Sequence, residues 1–296
     1  MAKDNGSLLV DAIMLDKVVA CLKLSRPLNS MMIGLAVIVG AVIASSDQIS
    51  NYDRLLAGFL AGSFTSAAIM THNDIVDVDI DRVNAPWRPI PSGKISVSGA
   101  KWCLLLYSIG GIASSLYTGL LTLLMVVFAL LFSIAYNSYG KKLGVLGNIQ
   151  VSLMVMYPIL YGGVVVGSVE ASTIIISLMI FFSVLGREIA KDIADVEGDK
   201  LAGVKTIAVS KGPVFASRIA ALMYLIAVSI SIAPLVLGIV ENKLLYAVVI
   251  GAIDVGFVYE SLILAKQADR DLVLKHKNRV LLLMLAGLIA LYLSLA

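Results

Sequence analysis

Residues 102–140 contain no acidic or basic side chain, and most of them are apolar. A helix that crosses a membrane needs about 20 mainly apolar residues. This single stretch is therefore long enough for two such helices, and the turn between them is expected at residues 117–119. No other feature of the sequence restricts the fold as strongly, because a soluble domain would have to bury the whole stretch.

Seven further apolar segments are long enough, or nearly long enough, to cross a membrane. Hydrophobic residues make up 59% of the chain and charged residues 15%, and the mean hydropathy is +0.94. Soluble domains are closer to one-quarter charged. The sequence therefore predicts an all-α, polytopic membrane bundle of about nine transmembrane helices in a single domain, 1–296. Besides the two helices of 102–140, the predicted spans are 27–46, 55–73, 143–169, 171–186, 219–240, 244–265 and 280–296.

The positive charges are distributed very unequally between the two sides that these spans define. With the N-terminus in the cytoplasm, every lysine and arginine except Arg54 and Lys243 falls in a cytoplasmic segment. Cytoplasmic loops carry such an excess. We therefore expect a multi-pass protein of the cell membrane whose N-terminus and two long loops, 73–101 and 187–218, are cytoplasmic. The net charge of +3 gives no reason to expect nucleic-acid binding, and two cysteines are too few for a disulfide framework.

The two long loops begin with the same acidic pattern. The spacing D-x-x-D-x-x-x-D occurs at 74–81 and again at 192–199, with matching residues between the aspartates. It indicates two pseudo-repeated halves, with motifs at 73–81 and 192–199. Because positions i, i+3 and i+7 share one helix face, each segment is predicted to present its carboxylates as one stripe if it continues the preceding helix. The six aspartates are Asp74, Asp77, Asp81, Asp192, Asp195 and Asp199.

Six clustered carboxylates need compensating cations, because close pairs repel by about 4 kcal/mol at an effective dielectric constant near 20. Oxygen-only ligands suit Mg²⁺, which commonly bridges a few carboxylates to substrate phosphates. The motifs are therefore predicted to hold Mg²⁺ with a diphosphate ester. The basic residues expected to contact phosphate are Arg26, Arg88, Lys94, Lys142 and Lys191. A pair of solvated acidic loops is the structural alternative.

At these residues the sequence resembles the UbiA superfamily of intramembrane prenyltransferases. The family motif N-D-x-x-D-x-x-x-D is matched from Asn73 to Asp81, and its second motif from Asp192 to Asp199. The resemblance implies a bundle around a large central cavity, with Mg²⁺-diphosphate bound at the cytoplasmic mouth and the prenyl tail in an apolar tunnel. It also adds Asn29, Asn73 and Tyr139 to the expected substrate contacts.

Within this superfamily, residues 84–93 (N-A-P-W-R-P-I-P-S-G) resemble the corresponding segment of archaeal digeranylgeranylglyceryl phosphate synthases. The implied reaction is transfer from a polyprenyl diphosphate, with geranylgeranyl diphosphate favoured, to the hydroxyl of geranylgeranylglyceryl phosphate. Arg26 would then contact the acceptor phosphate. Two alternatives stay open: a prenyltransferase with an aromatic acceptor such as 4-hydroxybenzoate, and a cation transporter. Against the transporter, the carboxylates cluster at one membrane face, whereas transport sites lie near the midplane.

Overall fold

A computed structural model describes residues 4–45, 51–138, 140 and 143–295, and the regular elements within them are all α-helices. Ten of these helices are long and four are short. The long ones are α1 (Asp4–Leu24), α2 (Pro27–Ala44), α3 (Tyr52–Val76), α5 (Val97–Thr118), α6 (Leu120–Ser138), α7 (Val145–Val165), α8 (Ala171–Ala194), α11 (Pro213–Ser231), α13 (Lys243–Lys266) and α14 (Arg270–Leu295). The short ones are α4 (Val78–Asn84), α9 (Val196–Leu201), α10 (Ile207–Lys211) and α12 (Ala233–Val236).

Within the described part of the chain, eight helical segments are long and apolar enough to cross a membrane. They are α2, α3, α6, α7, α8, α11 with α12, α13 and α14. The remaining predicted span is α5, a helix of 22 residues that is less apolar because of its serines, glycines and tyrosines. The uncharged stretch does form two helices, and they meet at Gly119, whose φ of 140° ends α5. The all-α membrane architecture is therefore confirmed, and the predicted number of spans is approximately right.

The last helix differs most from its predicted span. We expected it to begin at residue 280, after a run of charges, but α14 begins at Arg270. Charged side chains are compatible with a helix that extends beyond the apolar layer, because the requirement for apolar residues applies only inside the hydrocarbon core. The charged residues therefore led to a wrong predicted start for this helix, although the helix itself was predicted.

The chain divides into two compact units. The first comprises Met1–Gly34 and Phe59–Asn137, and its small buried cluster joins α1, the loop after α4 and the start of α5. Cys21 on α1 and Cys103 on α5 form a disulfide in this cluster, and the Tyr107 hydroxyl donates a hydrogen bond to the Cys21 carbonyl at 3.0 Å. The sequence offered no basis for pairing these two cysteines.

The disulfide leads to a direct chemical prediction. After denaturation without reductant, we expect a maleimide reagent to modify neither Cys21 nor Cys103, because both sulfurs are bonded. After reduction, both should react, and mass spectrometry would count the adducts. Modification of two thiols in the unreduced protein would contradict the pairing.

The second unit comprises Leu35–Gly58 and Ser138–Ala296 and has the larger core. Its centre is α8, which packs against α7, α11 and α14. Close helix contacts depend on small residues: a Cβ on Gly186 of α8 would lie 2.9 Å from the Ala220 carbonyl oxygen of α11. Small residues let helix backbones approach each other in membranes, where the hydrophobic effect contributes little to helix association. This packing positions the helix that carries the second acidic motif.

Candidate functional site

Both acidic motifs contain a helix break at their middle aspartate. In the first unit, α3 ends at Val76 and α4 begins at Val78, with Asp77 between them at φ −87° and ψ 6°. In the second unit, Asp195 separates α8 from α9 at φ −103° and ψ 4°. The expectation that each motif continues the preceding helix without a break is therefore wrong for both copies. The sequence repeat nevertheless extends to the backbone, because each unit breaks at the same motif position.

At each break, the carbonyl of the middle aspartate accepts the first main-chain hydrogen bond of the short helix that follows. The Asp81 N–H donates to the Asp77 carbonyl at 2.8 Å, and the Asp199 N–H donates to the Asp195 carbonyl at 2.9 Å. Aspartate is a common N-cap residue, whose carboxylate accepts a hydrogen bond from the following helix. Neither Asp77 nor Asp195 makes this capping bond. Helix capping therefore does not explain an aspartate at both junctions.

The first motif contacts two arginines. Arg26 Nη2 lies 2.6 Å from Asp74 Oδ1, and Arg88 Nη1 lies 2.5 Å from Asp81 Oδ2 and 3.5 Å from Asp74 Oδ1. Both aspartates are buried, whereas each arginine side chain is about one-third exposed. A guanidinium presents several donors in a fixed plane and can serve two acceptors at once. Arg88 thus bridges the outer aspartates of the motif, and the arginines partly neutralise its charge.

Two tight backbone segments present these arginines. Arg26 lies between α1 and α2 with a φ of 45°, in a left-handed conformation that costs a non-glycine residue about 1–2 kcal/mol. Pro27 follows it and begins α2. Arg88 lies in a series of turns in which its N–H donates to the Ala85 carbonyl at 3.0 Å. Both side chains are thereby directed to the first motif from outside α3.

The second motif has a different set of partners. Asn148 of α7 donates its amide N–H to Asp192 Oδ2 at 2.7 Å. Burial and the Asp195 carboxylate raise the pKa of Asp199, although Lys191 and a hydrogen bond from Thr206 oppose this. A nearby cation would stabilise the charged form of such a group. The second motif is thus rich in oxygen ligands and short of positive charge.

A glutamate one turn before the second motif organises the basic residues around it. Glu188 is 7% exposed and accepts hydrogen bonds from Arg187 Nη1 at 3.1 Å and Lys191 Nζ at 3.0 Å. The Arg187 Nε donates in turn to the Lys277 carbonyl of α14 at 3.3 Å. Lys191 was predicted from the sequence, whereas Glu188 was not. Extending the acidic face by one turn would have found Glu188, because Asp192 follows it by four residues.

The acidic residues between the motif positions lie elsewhere. Asp79 and Glu197 are exposed, and Asp79 Oδ1 forms an ion pair with Arg82 Nη1 at 2.9 Å. Three other predicted substrate contacts lie within the described residues. Asn29 and Asn73 are half-buried on α2 and α3, and Lys94 is exposed before α5. Tyr139 and Lys142 lie outside the described residues.

The donor chemistry fits Mg²⁺, although the side chains do not form a complete cage. Within the described ranges, no three His, Cys, Asp or Glu side chains are grouped so as to hold a metal ion. Mg²⁺ usually keeps several waters and binds through one or two carboxylates together with substrate phosphates. The oxygen-only donor set of the motif aspartates matches that mode of binding.

A buried polar cluster in the second unit was not predicted. His276 Nδ1 lies 2.7 Å from Glu260 Oε2, His276 Nε2 lies 3.0 Å from the Tyr224 hydroxyl, and Arg279 Nε lies 2.5 Å from Glu260 Oε1. Lysines flank His276 in the sequence, but its side chain is fully buried. Adjacent helical residues point about 100° apart, so a run of basic residues along a helix does not define one surface.

Asp254, which interrupts a predicted span, also has a structural partner. The Ser231 hydroxyl donates to Asp254 Oδ2 at 2.7 Å, and the Tyr246 hydroxyl donates to the Ser231 carbonyl at 2.8 Å. These bonds join α11 to α13 at the point where α11 ends. Asp254 thus contacts a hydroxyl of the neighbouring helix.

Comparison with known protein families gives a decisive match. The model of the UbiA prenyltransferase family matches residues 33–281, which include both acidic motifs. The chain belongs to the UbiA prenyltransferase family. Its family membership and its apolar helices together identify this UbiA-family chain as a multi-pass membrane enzyme.

Individual relatives within the UbiA family agree with this assignment. The digeranylgeranylglyceryl phosphate synthase of Korarchaeum cryptofilum is 36% identical over 221 residues, which cover 74% of this chain and 77% of that protein. A solved structure described as digeranylgeranylglyceryl phosphate synthase in membranes has a TM-score of 0.76 at 30% identity, covering 94% of this chain and 98% of its own.

A more distant UbiA-family structure supports the fold. A homologue from Archaeoglobus fulgidus, solved with GPP and Mg²⁺ bound, has a TM-score of 0.63 at 20% identity. The superposition covers 92% of this chain and 99% of that one. The helical architecture described above is therefore that of known UbiA-family members.

Proposed function

We propose that this chain transfers a prenyl group from a polyprenyl diphosphate, preferably geranylgeranyl diphosphate, to the free hydroxyl of geranylgeranylglyceryl phosphate. Residues 1–296 would act as one prenyltransferase domain with two pseudo-repeated halves. The observation that carries the proposal is the pair of acidic motifs with the same backbone break, in a chain similar to digeranylgeranylglyceryl phosphate synthases. No observation specifically favours an aromatic acceptor, and membership of an enzyme family removes the reason to retain a cation transporter.

The six motif aspartates would hold Mg²⁺, as their oxygen-only donor set permits. Bound Mg²⁺ would supply Lewis-acid stabilisation of the diphosphate leaving group. GPP and Mg²⁺ are bound together in the Archaeoglobus fulgidus homologue, which supports the same combination here.

The basic residues near the motifs would bind the phosphate groups. Arg88 forms an ion pair with Asp81, and Lys191 forms one with Glu188. Charge that develops on the leaving group is stabilised by donors that are oriented beforehand. We assign the diphosphate to these two side chains with Lys94 and Lys142, and the acceptor phosphate to Arg26. Asn29, Asn73 and Tyr139 would provide neutral hydrogen bonds to the substrates.

The proposed reaction exchanges one carbon–oxygen bond for another. The allylic C–O bond to the diphosphate breaks, and the diphosphate leaves with the bonding electrons. The acceptor hydroxyl oxygen bonds to the same carbon, forms an ether and loses its proton. Water would capture a cation-like carbon, so a bundle interior that excludes bulk water protects the reaction.

We further propose that the N-terminus and both acidic motifs face the cytoplasm. The distribution of lysine and arginine between the connecting segments supports this orientation. Cysteine substitutions at exposed Asp79 and Glu197, probed in intact cells with an impermeant maleimide, should remain unlabelled until the membrane is opened. Labelling of both in intact cells would reverse the orientation.

The function is tested directly with purified protein in liposomes. Geranylgeranyl diphosphate is supplied with either geranylgeranylglyceryl phosphate or 4-hydroxybenzoate, and the products are analysed by mass spectrometry. We expect an ether product with the glycerophosphate acceptor, abolished by EDTA and restored by excess Mg²⁺. A prenylated aromatic product alone would identify the aromatic-acceptor enzyme instead.

A separate prediction concerns Arg88. The Arg88→Lys substitution should lower transfer by about 10- to 100-fold, because hydrogen bonds to charged groups contribute about 1.5–3 kcal/mol. Lysine keeps the charge but cannot bridge Asp74 and Asp81 as a planar guanidinium does. The matched control is Arg82→Lys, because that arginine is exposed and pairs with an exposed aspartate. Equal activity of both variants would remove the bridging role of Arg88.

A further inference from the structure

Asn148 is a polar residue inside an apolar helix, and none of the roles assigned above accounts for it. It lies in the first turn of α7 and is 8% exposed. Its amide N–H donates to Asp192 Oδ2 at 2.7 Å, across a separation of 44 residues. The buried amide therefore contacts a carboxylate of the second motif directly.

The start of α7 is held against the segment that follows the second motif. Gly144 precedes α7 with a φ of 56°, and a Cβ there would lie 2.2 Å from the Lys205 carbonyl oxygen. Only glycine can adopt this conformation at such close approach without strain. Asn148 lies one turn further along α7, so its position relative to the second motif is fixed by backbone contact and not only by its own hydrogen bond.

The hydrogen bond from Asn148 fixes the orientation of the Asp192 carboxylate. A carboxylate has two oxygens, and the amide donor engages Oδ2. Oδ1 takes no part in this bond, so its lone pairs remain for a cation. The charged groups that act on Asp192 are Asp199, Lys191 and Glu188. Without a fixed donor, a carboxylate in this mixed field could rotate towards Lys191 and lose its orientation as a metal ligand.

We propose that Asn148 is a positioning residue that holds Asp192 in the orientation needed to bind Mg²⁺; this inference rests on the proposed function. A neutral amide suits this role, because it orients the carboxylate without neutralising its charge. An arginine in the same place would neutralise that charge. Residues that hydrogen-bond to metal ligands commonly affect metal affinity by about 10- to 100-fold when they are replaced. The second motif thereby differs from the first, where arginines contact the outer aspartates.

The test measures metal binding separately from catalysis. Binding of Mn²⁺ to the full-length protein with geranylgeranyl diphosphate present is followed by electron paramagnetic resonance. We expect Asn148→Leu to weaken Mn²⁺ binding by about 10- to 100-fold and to raise the Mg²⁺ requirement for transfer in parallel. The rate at saturating Mg²⁺ should change much less, and the KM for the acceptor should stay the same.

The matched control is Gln150→Leu, which removes an amide two residues along the same helix. The Gln150 Oε1 is buried and has no hydrogen-bond partner within the described structure. This variant should bind Mn²⁺ as the unmodified protein does. Thermal unfolding checks that each variant is folded, and Asn148→Ala provides a second measurement if the leucine variant does not fold.

A double substitution shows whether Asn148 acts through Asp192. If it does, Asn148→Leu should weaken Mn²⁺ binding no further in a protein that already carries Asp192→Ala. Additive losses, or unchanged Mn²⁺ binding in folded Asn148 variants, would overturn the inference while leaving transfer by the unmodified protein intact. Absence of transfer by the unmodified protein would instead refute the proposed function, and the Mn²⁺ comparison would still be measurable.

Discussion

Replacing Asp77 or Asp195 with alanine should lower prenyl transfer by about 10³-fold, since loss of a single group that stabilises developing charge already costs 10²- to 10³-fold. Each residue lies at the junction of two helices, and neither carboxylate caps the helix that follows. Their removal should therefore affect ligand binding more than folding. Initial rates with geranylgeranyl diphosphate, together with thermal unfolding of the same samples, would separate these effects.

The sequence provides a matched control for each of these aspartates. Asp79 and Glu197 follow the two junctions by two residues and are exposed. Asp79→Ala and Glu197→Ala each remove one negative charge from the same segment, so they test whether net charge alone matters. Both should retain nearly full activity. A similar loss in all four variants would mean that the acidic segments act only through their overall charge, and near-normal rates in Asp77→Ala and Asp195→Ala would exclude both from metal binding.

The membrane architecture could be predicted almost completely from the sequence. Length and apolarity are sufficient to locate a spanning helix, because lipid leaves the backbone few alternatives. The turn at Gly119 was predictable because residues 102–140 are too long for one helix. Where α14 begins was not predictable in this way, since its first turns lie among charged residues from Arg270 onwards.

The acidic motifs could be found from their spacing, but the helix break within each motif could not. Nothing in the residues around Asp77 or Asp195 signals a break, because no proline or glycine adjoins either position. Each middle aspartate also accepts the first main-chain hydrogen bond of the short helix after it, so the motif spacing stays helical on that side of the break. A helix break of this kind depends on packing beyond the motif, which the periodicity of a single sequence does not contain.

Polar residues inside apolar segments were the missed signal. Asn148 lies within the predicted span 143–169, and a polar group at that depth needs a partner. His276 and Glu260 lie 16 residues apart on α14 and α13, so their contact depends on how those helices pack. The sequence could have marked each residue as requiring a partner, but only the structure could show which partner it has.

A large effect on folding is expected where α2 meets α7. A Cβ on Gly162 would lie 2.0 Å from the Val37 carbonyl oxygen, and one on Gly40 would lie 2.1 Å from the Ile159 carbonyl oxygen. The neighbouring atoms belong to the backbone, so no side-chain rotation relieves the clash. Gly162→Ala and Gly40→Ala should each destabilise the protein by about 1–3 kcal/mol, and Gly162→Val by more. Thermal unfolding in detergent, followed by circular dichroism, would measure these losses.

Two other glycines separate this effect from helix propensity. Gly251 of α13 and Gly287 of α14 also lie within spanning helices, but a Cβ there would meet no atom within 4 Å. Because alanine favours helix by about 0.5–1 kcal/mol over glycine, Gly251→Ala and Gly287→Ala should be neutral or slightly stabilising. The opposite signs follow from backbone contact alone. If all four alanine variants behaved alike, the close crossing of α2 and α7 would be refuted.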